Sequence, residues 1–491
     1  MNPVEHLYFY AKFRPDDVAI QTATGEMTWR KLLPTVQSIA YKFQQAGIRP
    51  NQLVVTRVHD PQLDWIVTLA LMHEAVATCS TLGPVPVELE ADFTVTASVP
   101  EHLPNDKVIL VDDRWLKDLP QVPEDFRSQA FAAEDSLFRL ILTSGTTGRR
   151  KAAEFSLGTF LKRCERMSAP SNGYVTELCM IGLSTSVGFR LALRALMCGV
   201  TFYFASSAKE IIHLIETHHL ECLSASPQQL GLLITEMQRT SRRLSSLRMV
   251  WYSGGEASPV LLNNVRRDLC PAVICMYGST EVGGVACYMV HDPNYRPRMA
   301  GYVVPEAEIQ IVGEEHQPLA IGQEGAVRVR SLSMAAGYYK NPGETGRSYR
   351  DGWFYPGDRA RLLENGMLEL AGRERELINR GGVKVSPADI DSLIGSYHGL
   401  LDAATFGFEN HLGLEDICAA VVVVKDFDME AFRRHLAQIL DKNRNPSLII
   451  ALKEIPRNQI GKVMRQQLRE QYGDALRQRL KDHAGFVSKQ H

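Results

Sequence analysis

Two separated stretches carry residue types suited to holding and polarising a polyphosphate. The first, Leu142-Thr143-Ser144-Gly145-Thr146-Thr147-Gly148-Arg149-Arg150-Lys151, sets hydroxyls and glycines ahead of a lysine. Gly145 and Gly148 let the backbone present N–H donors to an anion, while the hydroxyls of Thr143, Ser144, Thr146 and Thr147 and the Lys151 ammonium add donors and charge. The second, Pro456-Arg457-Asn458-Gln459-Ile460-Gly461-Lys462, puts another lysine in a turn framed by a rigid proline and a permissive glycine. The first stretch is not a Walker A loop, because Arg150 stands where G-x-x-x-x-G-K-[ST] needs its second glycine. Kinase and GTPase readings lose ground accordingly.

Such residues need rigid elements to aim them. The apolar run Phe138 to Leu142 reads as a strand feeding directly into the first stretch. Leu53-Val54-Val55 and Val108 to Val111 are further strand signals. Ahead of them, Val36, Ile39, Ala40 and Phe43 recur at helical spacing after Pro34 and stop at Gly47. Strands and helices alternate in this way to about residue 290, the pattern of parallel α/β layers. From about 300 to 371 the chain is β-rich, with Ile309 to Val312, Ala326 to Val329 and the turn Glu364-Asn365-Gly366. Beyond Gly372 come short α/β pieces: Ala419 to Val424, the helix-patterned Met429 to Leu440, and Leu448 to Leu452. The last stretch reads as a polar helix with a solvated face. The expected fold class is α/β: a large N-terminal domain over 1–371 with its β-rich subdomain, a hinge over 372–376, and a small mobile α+β domain over 377–491.

The chain has 491 residues, 45% hydrophobic and 22% charged, enough for several cores. A formal net charge of −2 gives no global field for nucleic acid or acidic membrane, so a small anion must be met locally. Nine cysteines without C-x-x-C pairs argue against zinc ribbons and a disulfide framework. No export signal or membrane-spanning run is visible, and the cytoplasm is the expected location.

Four more strings share the chain with the first stretch, in order: Tyr277-Gly278-Ser279-Thr280-Glu281, Asp351 to Asp358 with Trp353-Phe354 inside, Gly372-Arg373, and Pro456 to Lys462. Together they resemble the adenylate-forming enzymes, the superfamily of acyl-CoA synthetases, adenylation domains and beetle luciferases, over nearly the whole chain. The resemblance implies ATP and Mg²⁺ as cofactors. Thr143 to Gly148 and Lys151 would hold the β- and γ-phosphates, Gly254, Gly255, Tyr277, Gly278 and Ser279 the adenine side, and Asp358 and Arg373 the ribose. It assigns Thr280 and Glu281 to the α-phosphate and the metal, since Mg²⁺ chooses carboxylate and phosphate oxygens. Lys462 would be the catalytic cation of the first half-reaction, placed between an attacking carboxylate and the α-phosphate.

The resemblance also implies a second half-reaction, in which the small domain rotates and a thiol displaces AMP. Arg375 stands at the hinge position usually held by Asp or Lys, and Gly381 and Gly382 resemble the segment lining the thiol's tunnel. The thiol acceptor would be coenzyme A, or else the phosphopantetheine of a separate acyl carrier protein. Ser184, Ser186, Gly188, Gly283 and Gly284 would line the acid pocket. Ser184 occupies the approximate place of the aspartate that pairs an α-ammonium, so the expected substrate is a carboxylic acid without an α-amino group. Fatty, aryl and small branched acids all stay open. A luciferase-like oxygenase or a non-catalytic nucleotide binder would share parts of the pattern, although the latter is expected to have lost Lys151, Glu281 or Lys462, and all three are present.

Overall fold

The computed structural model describes the whole chain except residues 1, 82–88, 99–106, 144–149, 167–175, 241, 256, 258, 291–297, 374–375, 381–382, 396, 411–413, 459–460 and 488–491, and only the backbone of 260, 384 and 481–487. Among the described residues, one sheet of seven strands runs Gly337–Tyr338, Lys151–Ser156, Leu137–Thr143, Ala77–Ser80, Leu53–Arg57, Phe93–Thr96, Val108–Leu110. Its inner pairs are parallel, and their strands are buried along most of their length, with Thr56, Thr78, Ser80, Thr94 and Thr96 enclosed among the apolar side chains. The helix Pro61–His73 on this layer is buried nearly all round; Asp60 caps it by accepting from the Leu63 N–H, and Pro61 takes the first turn.

The helix expected after Pro34 begins earlier, at Trp29, and carries Pro34 inside it. Trp29, Leu32, Val36, Ile39, Ala40 and Phe43 bury one continuous face, and that packing outweighs the hydrogen bond Pro34 forfeits. Gly47, at φ +98°, ends it as expected, with its N–H on the Gln44 carbonyl and the Ile48 N–H on that of Phe43, the paired bonds of a Schellman cap.

A second, larger sheet changes character half-way. Glu177–Cys179, Cys222–Ala225, Met249–Ser253 and Val273–Ser279 are parallel neighbours. From Val273–Ser279 onward the pairing is antiparallel, through Gly283–Met289, Met299–Val303, Met367–Arg373, Asp358–Leu362 and Gly325–Ser331. The β-rich stretch therefore continues the parallel sheet's edge. Residues 280–282 turn the chain at the change of direction, and Ser226-Pro227 and Gly254-Gly255 follow the ends of adjacent parallel strands. In an open α/β sheet, that carboxyl end is where a ligand crevice forms.

After Arg373 the chain leaves this sheet. Leu400–Glu409, Glu415–Val423 and Leu448–Ala451 form a small sheet of their own among the described residues. Alternation along one strand builds two cores: Ile417, Ala419 and Val421 face Ile390, Phe432 and Leu436, whereas Cys418 and Ala420 face Leu468 and Leu476. The final helix, Arg465–Val487, is thus no simple solvated rod. Leu468, Tyr472 and Leu476 recur every fourth residue and seal the second core. No helix among the described residues is long and apolar enough to cross a membrane.

Candidate active site

A cavity of about 1630 Å³ opens between the two sheets and the small C-terminal unit. Its walls include Thr143 and Lys151 from the first sheet, Ser184, Ser186, Gly254, Gly255 and Tyr277 to Glu281 from the parallel layer, Asp358 and Arg373 from the antiparallel layer, and Lys462 from the C-terminal unit. Residues some three hundred positions apart in sequence therefore meet around one space.

Thr143 and Lys151 pair directly across antiparallel strands. Ser144, Gly145, Thr146, Thr147 and Gly148 lie outside the described residues. The Lys151 ammonium is ion-paired with the Glu344 carboxylate and sits 4.9 Å from the Tyr338 ring centroid. That pairing holds Glu344 below the usual carboxylate range. Arg150 also borders the cavity, donating to Thr81 Oγ1 at 3.3 Å.

The turn at 280–282 aims Glu281 inward. The glycines on either side allow it: a Cβ on Gly278 would fall 2.1 Å from the Gly283 carbonyl oxygen, and Gly283 takes φ +84°. Glu281 is buried and accepts a hydrogen bond from the Tyr338 hydroxyl at 2.8 Å. Burial and the adjacent carboxylate push the Tyr338 hydroxyl far above the ordinary tyrosine range, so it stays a donor. No group of three or more His, Cys, Asp or Glu side chains able to hold a metal occurs among the described residues. The donor set fits Mg²⁺ bound by one carboxylate with phosphate and water oxygens completing the shell, which that ion prefers over an all-protein cage.

Asp358 and Arg373 face each other across paired strands. Arg373 Nε lies 3.1 Å from Asp358 Oδ1, and the Tyr277 hydroxyl donates to Oδ2 at 2.6 Å. Burial opposes the charge on Arg373, but Asp358 and Glu376 more than offset it. Each carboxylate oxygen keeps a free lone pair, so Asp358 can still receive hydroxyl donors while the Tyr277 ring offers a flat face. Gly254 and Gly255 end the neighbouring strand Met249–Ser253.

Lys462 projects from a tight turn in which Gly461, at φ +80°, donates its N–H to the Asn458 carbonyl, and Asn458 Oδ1 accepts from the Lys462 N–H at 2.9 Å. Arg457 braces the turn by donating to the Gly461 carbonyl at 2.7 Å while pairing with Asp402. The turn is seated on the large domain: a Cβ on Gly461 would lie 2.7 Å from Gln228 Cβ. The Lys462 ammonium is 3.6 Å from Glu376. Burial, and then the nearby Arg373 charge, lower its pKa to about 8.

The acid-pocket residues divide. Ser184, Ser186, Gly283 and Gly284 line the cavity. Gly188 does not: it packs where a Cβ would stand 2.3 Å from the carbonyl oxygens of both Gly182 and Ile181, so its expected place in the pocket is corrected to a packing role. Arg375, Gly381 and Gly382 lie outside the described residues. Sequence reasoning missed four groups at this site: Glu344, Glu376, Arg163 and Arg190. Arg163 is buried and donates to Ser186 Oγ and to the carbonyls of Thr280, Glu281 and Ser333 at 2.7–3.1 Å.

A family model described as AMP-binding enzyme matches residues 9–339. The chain belongs to the AMP-binding enzyme family. Along nearly its full length it is similar to 2-succinylbenzoate–CoA ligase of Oceanobacillus iheyensis, at 25% identity over 93% of this chain and 97% of the relative. It is equally similar to fatty acid–[acyl-carrier-protein] ligase MmaC of Mycobacterium marinum, at 25% identity over 95% and 96%. Among solved structures, O-succinylbenzoate coenzyme A synthetase (MenE) of Bacillus subtilis, in complex with ATP and magnesium ion, matches the fold of this AMP-binding enzyme. The TM-score is 0.81 at 21% identity, covering 94% of this chain and 98% of that one.

Proposed function

We propose that this chain is an AMP-forming acid–thiol ligase. A carboxylate and ATP give acyl-AMP and pyrophosphate, and a thiol then displaces AMP to form a thioester. The observation that carries the reading is the meeting of Lys151 and Lys462 on one cavity with Glu281, Asp358 and Arg373.

Each residue has a physical task. Lys151 would take the outer phosphates and Glu281 the Mg²⁺. Asp358 and Arg373 would hold the ribose, with the Tyr277 ring against the base. A carboxylate approaching the α-phosphate brings two anions together, and the Lys462 cation stabilises the charge that accumulates as the bond forms. Adenylation is needed because a carboxylate is a poor electrophile, whereas AMP is a good leaving group.

Coenzyme A is the first choice of acceptor, supported by the Oceanobacillus relative. The carrier-protein ligase MmaC supports phosphopantetheine on a separate carrier as the second. The test is acid-dependent pyrophosphate release over a graded acid panel. Lys462→Ala is expected to lose about 3 kcal/mol of transition-state stabilisation, roughly a hundredfold or more in rate, with an unchanged melting curve. Unaltered release in that variant would overturn the reading. Offering coenzyme A and holo-carrier separately then identifies the acceptor.

A further inference from the structure

The acid-binding wall of the cavity carries a charge that the adenylation chemistry does not use. The helix Ser186–Cys198 presents Ser186, Val187 and Arg190 to the cavity, positions one turn apart on one face. Arg190 is 8% exposed, and its guanidinium makes no hydrogen bond or ion pair among the described residues; its Nη1 is fully enclosed without a partner. The carboxylate that acts on it electrostatically, Glu177, already receives the Ser224 hydroxyl at 2.7 Å and lies beyond ion-pair distance.

Arg163 stands nearby and repels it. Its own partners are a hydroxyl and three carbonyls, and its Nε is likewise enclosed and unpartnered. Two buried guanidiniums thus share a wall without a carboxylate paired to either. Burying an uncompensated cation costs far more than leaving a hydroxyl or amide unpaired, so the arrangement is relieved best by an anion that enters with a ligand. Guanidinium geometry suits a planar carboxylate in particular, which it can meet with two parallel N–H donors.

We infer that the acid this enzyme activates carries a second anionic group, a carboxylate at its far end, which pairs with Arg190 while the first carboxylate is presented to the nucleotide. The inference rests on the adenylation reading and narrows its substrate class from carboxylic acids in general to dicarboxylic acids. Arg190 is then a specificity-determining residue, and Arg163 holds Ser186 and the 280–281 backbone beside it.

The experiment compares acids in matched triplets over several lengths, straight-chain and aryl, each ending in a methyl, a carboxamide or a carboxylate. Pyrophosphate release gives kcat/KM for every acid with wild type, Arg190→Met, Arg190→Lys and Lys462→Ala. Wild type is expected to favour the carboxylate-ended member by ~100-fold, the size of effect seen when a buried charge pair is completed or broken. Arg190→Met is expected to bring the triplet to parity, and Arg190→Lys to keep part of the preference. Equal use of methyl- or amide-ended acids by wild type, or a preference that survives Arg190→Met, overturns the inference while leaving adenylation standing. Should Arg190→Met not fold, the wild-type ratio and the Arg190→Lys ratio decide alone. Release from no acid, or release that Lys462→Ala does not diminish, overturns the adenylation reading and this inference with it.

Discussion

Lys462 is effective as a cation only while protonated, and its surroundings leave little margin. Burial and the Arg373 charge bring its pKa to about 8, below the ordinary lysine value, so the free enzyme loses this charge as pH rises through that value. Because kcat/KM reports the ionisation of the free enzyme, the adenylation step is expected to fall along a limb above about pH 8. Below it the ammonium is intact and Lys462 imposes no decline. Lys462→Arg, whose guanidinium does not titrate there, should remove the limb even where it lowers the maximum rate. A limb unmoved by that substitution would assign the ionisation to another group.

Among the elements, the helix Ser186–Cys198 shows how a site residue and a packing residue can look alike in sequence. Ser186 and Gly188 share one small, polar-looking segment, yet Ser186 lines the cavity and Gly188 is wedged against two carbonyls. Gly188→Ala would force backbone apart, a cost of ~1–3 kcal/mol, and should lower the apparent Tm by about 1–3 °C without reordering acid preference. Melting curves beside an acid panel check this, and an unchanged Tm with altered preference would return Gly188 to the pocket.

The same contrast explains what the sequence disclosed. Strand runs, the cap at Gly47, the Glu364-Asn365-Gly366 turn and the order of strings around Tyr277, Asp358, Arg373 and Lys462 are local patterns, so they could be read before any coordinates. Arg163 and Glu344 were illegible because their roles arise only from distant partners. Arg163 meets Thr280 117 positions on, and Lys151 meets Glu344 193 positions on. Arg190 shows the limit most plainly, since a helical arginine is ordinarily a solvated side chain and only the fold encloses it. The start of the helix at Trp29 was misplaced because Pro34 signals a boundary locally, while six buried side chains decide otherwise.

In the whole molecule, the C-terminal unit sits so that Lys462 reaches the side of the cavity lined by Asp358 and Arg373. Contacts across the boundary hold it there, among them the seat of Gly461 on Gln228 and the Arg298–Asp389 ion pair at 2.9 Å. The proposed reaction needs this arrangement for adenylation and a different one for the thiol step, so a contact peculiar to the first should bias the two steps unequally. Arg298→Ala removes a partly exposed pair, and adenylation is expected to slow by only about two- to fivefold. Thioester formation from preformed acyl-AMP should hold its rate or rise. Rapid-quench measurement of each half-reaction separates these outcomes, and equal slowing of both would deny the pair an orienting role.

The bond between Lys151 and Glu344 has a consequence for what this cavity admits. Because the ammonium is already satisfied by a carboxylate of the chain itself, an incoming anion gains it only by exchange. Acetate or chloride offers no more charge than the group it would evict, whereas a triphosphate brings several. At Lys151, visitors are therefore sorted by valence.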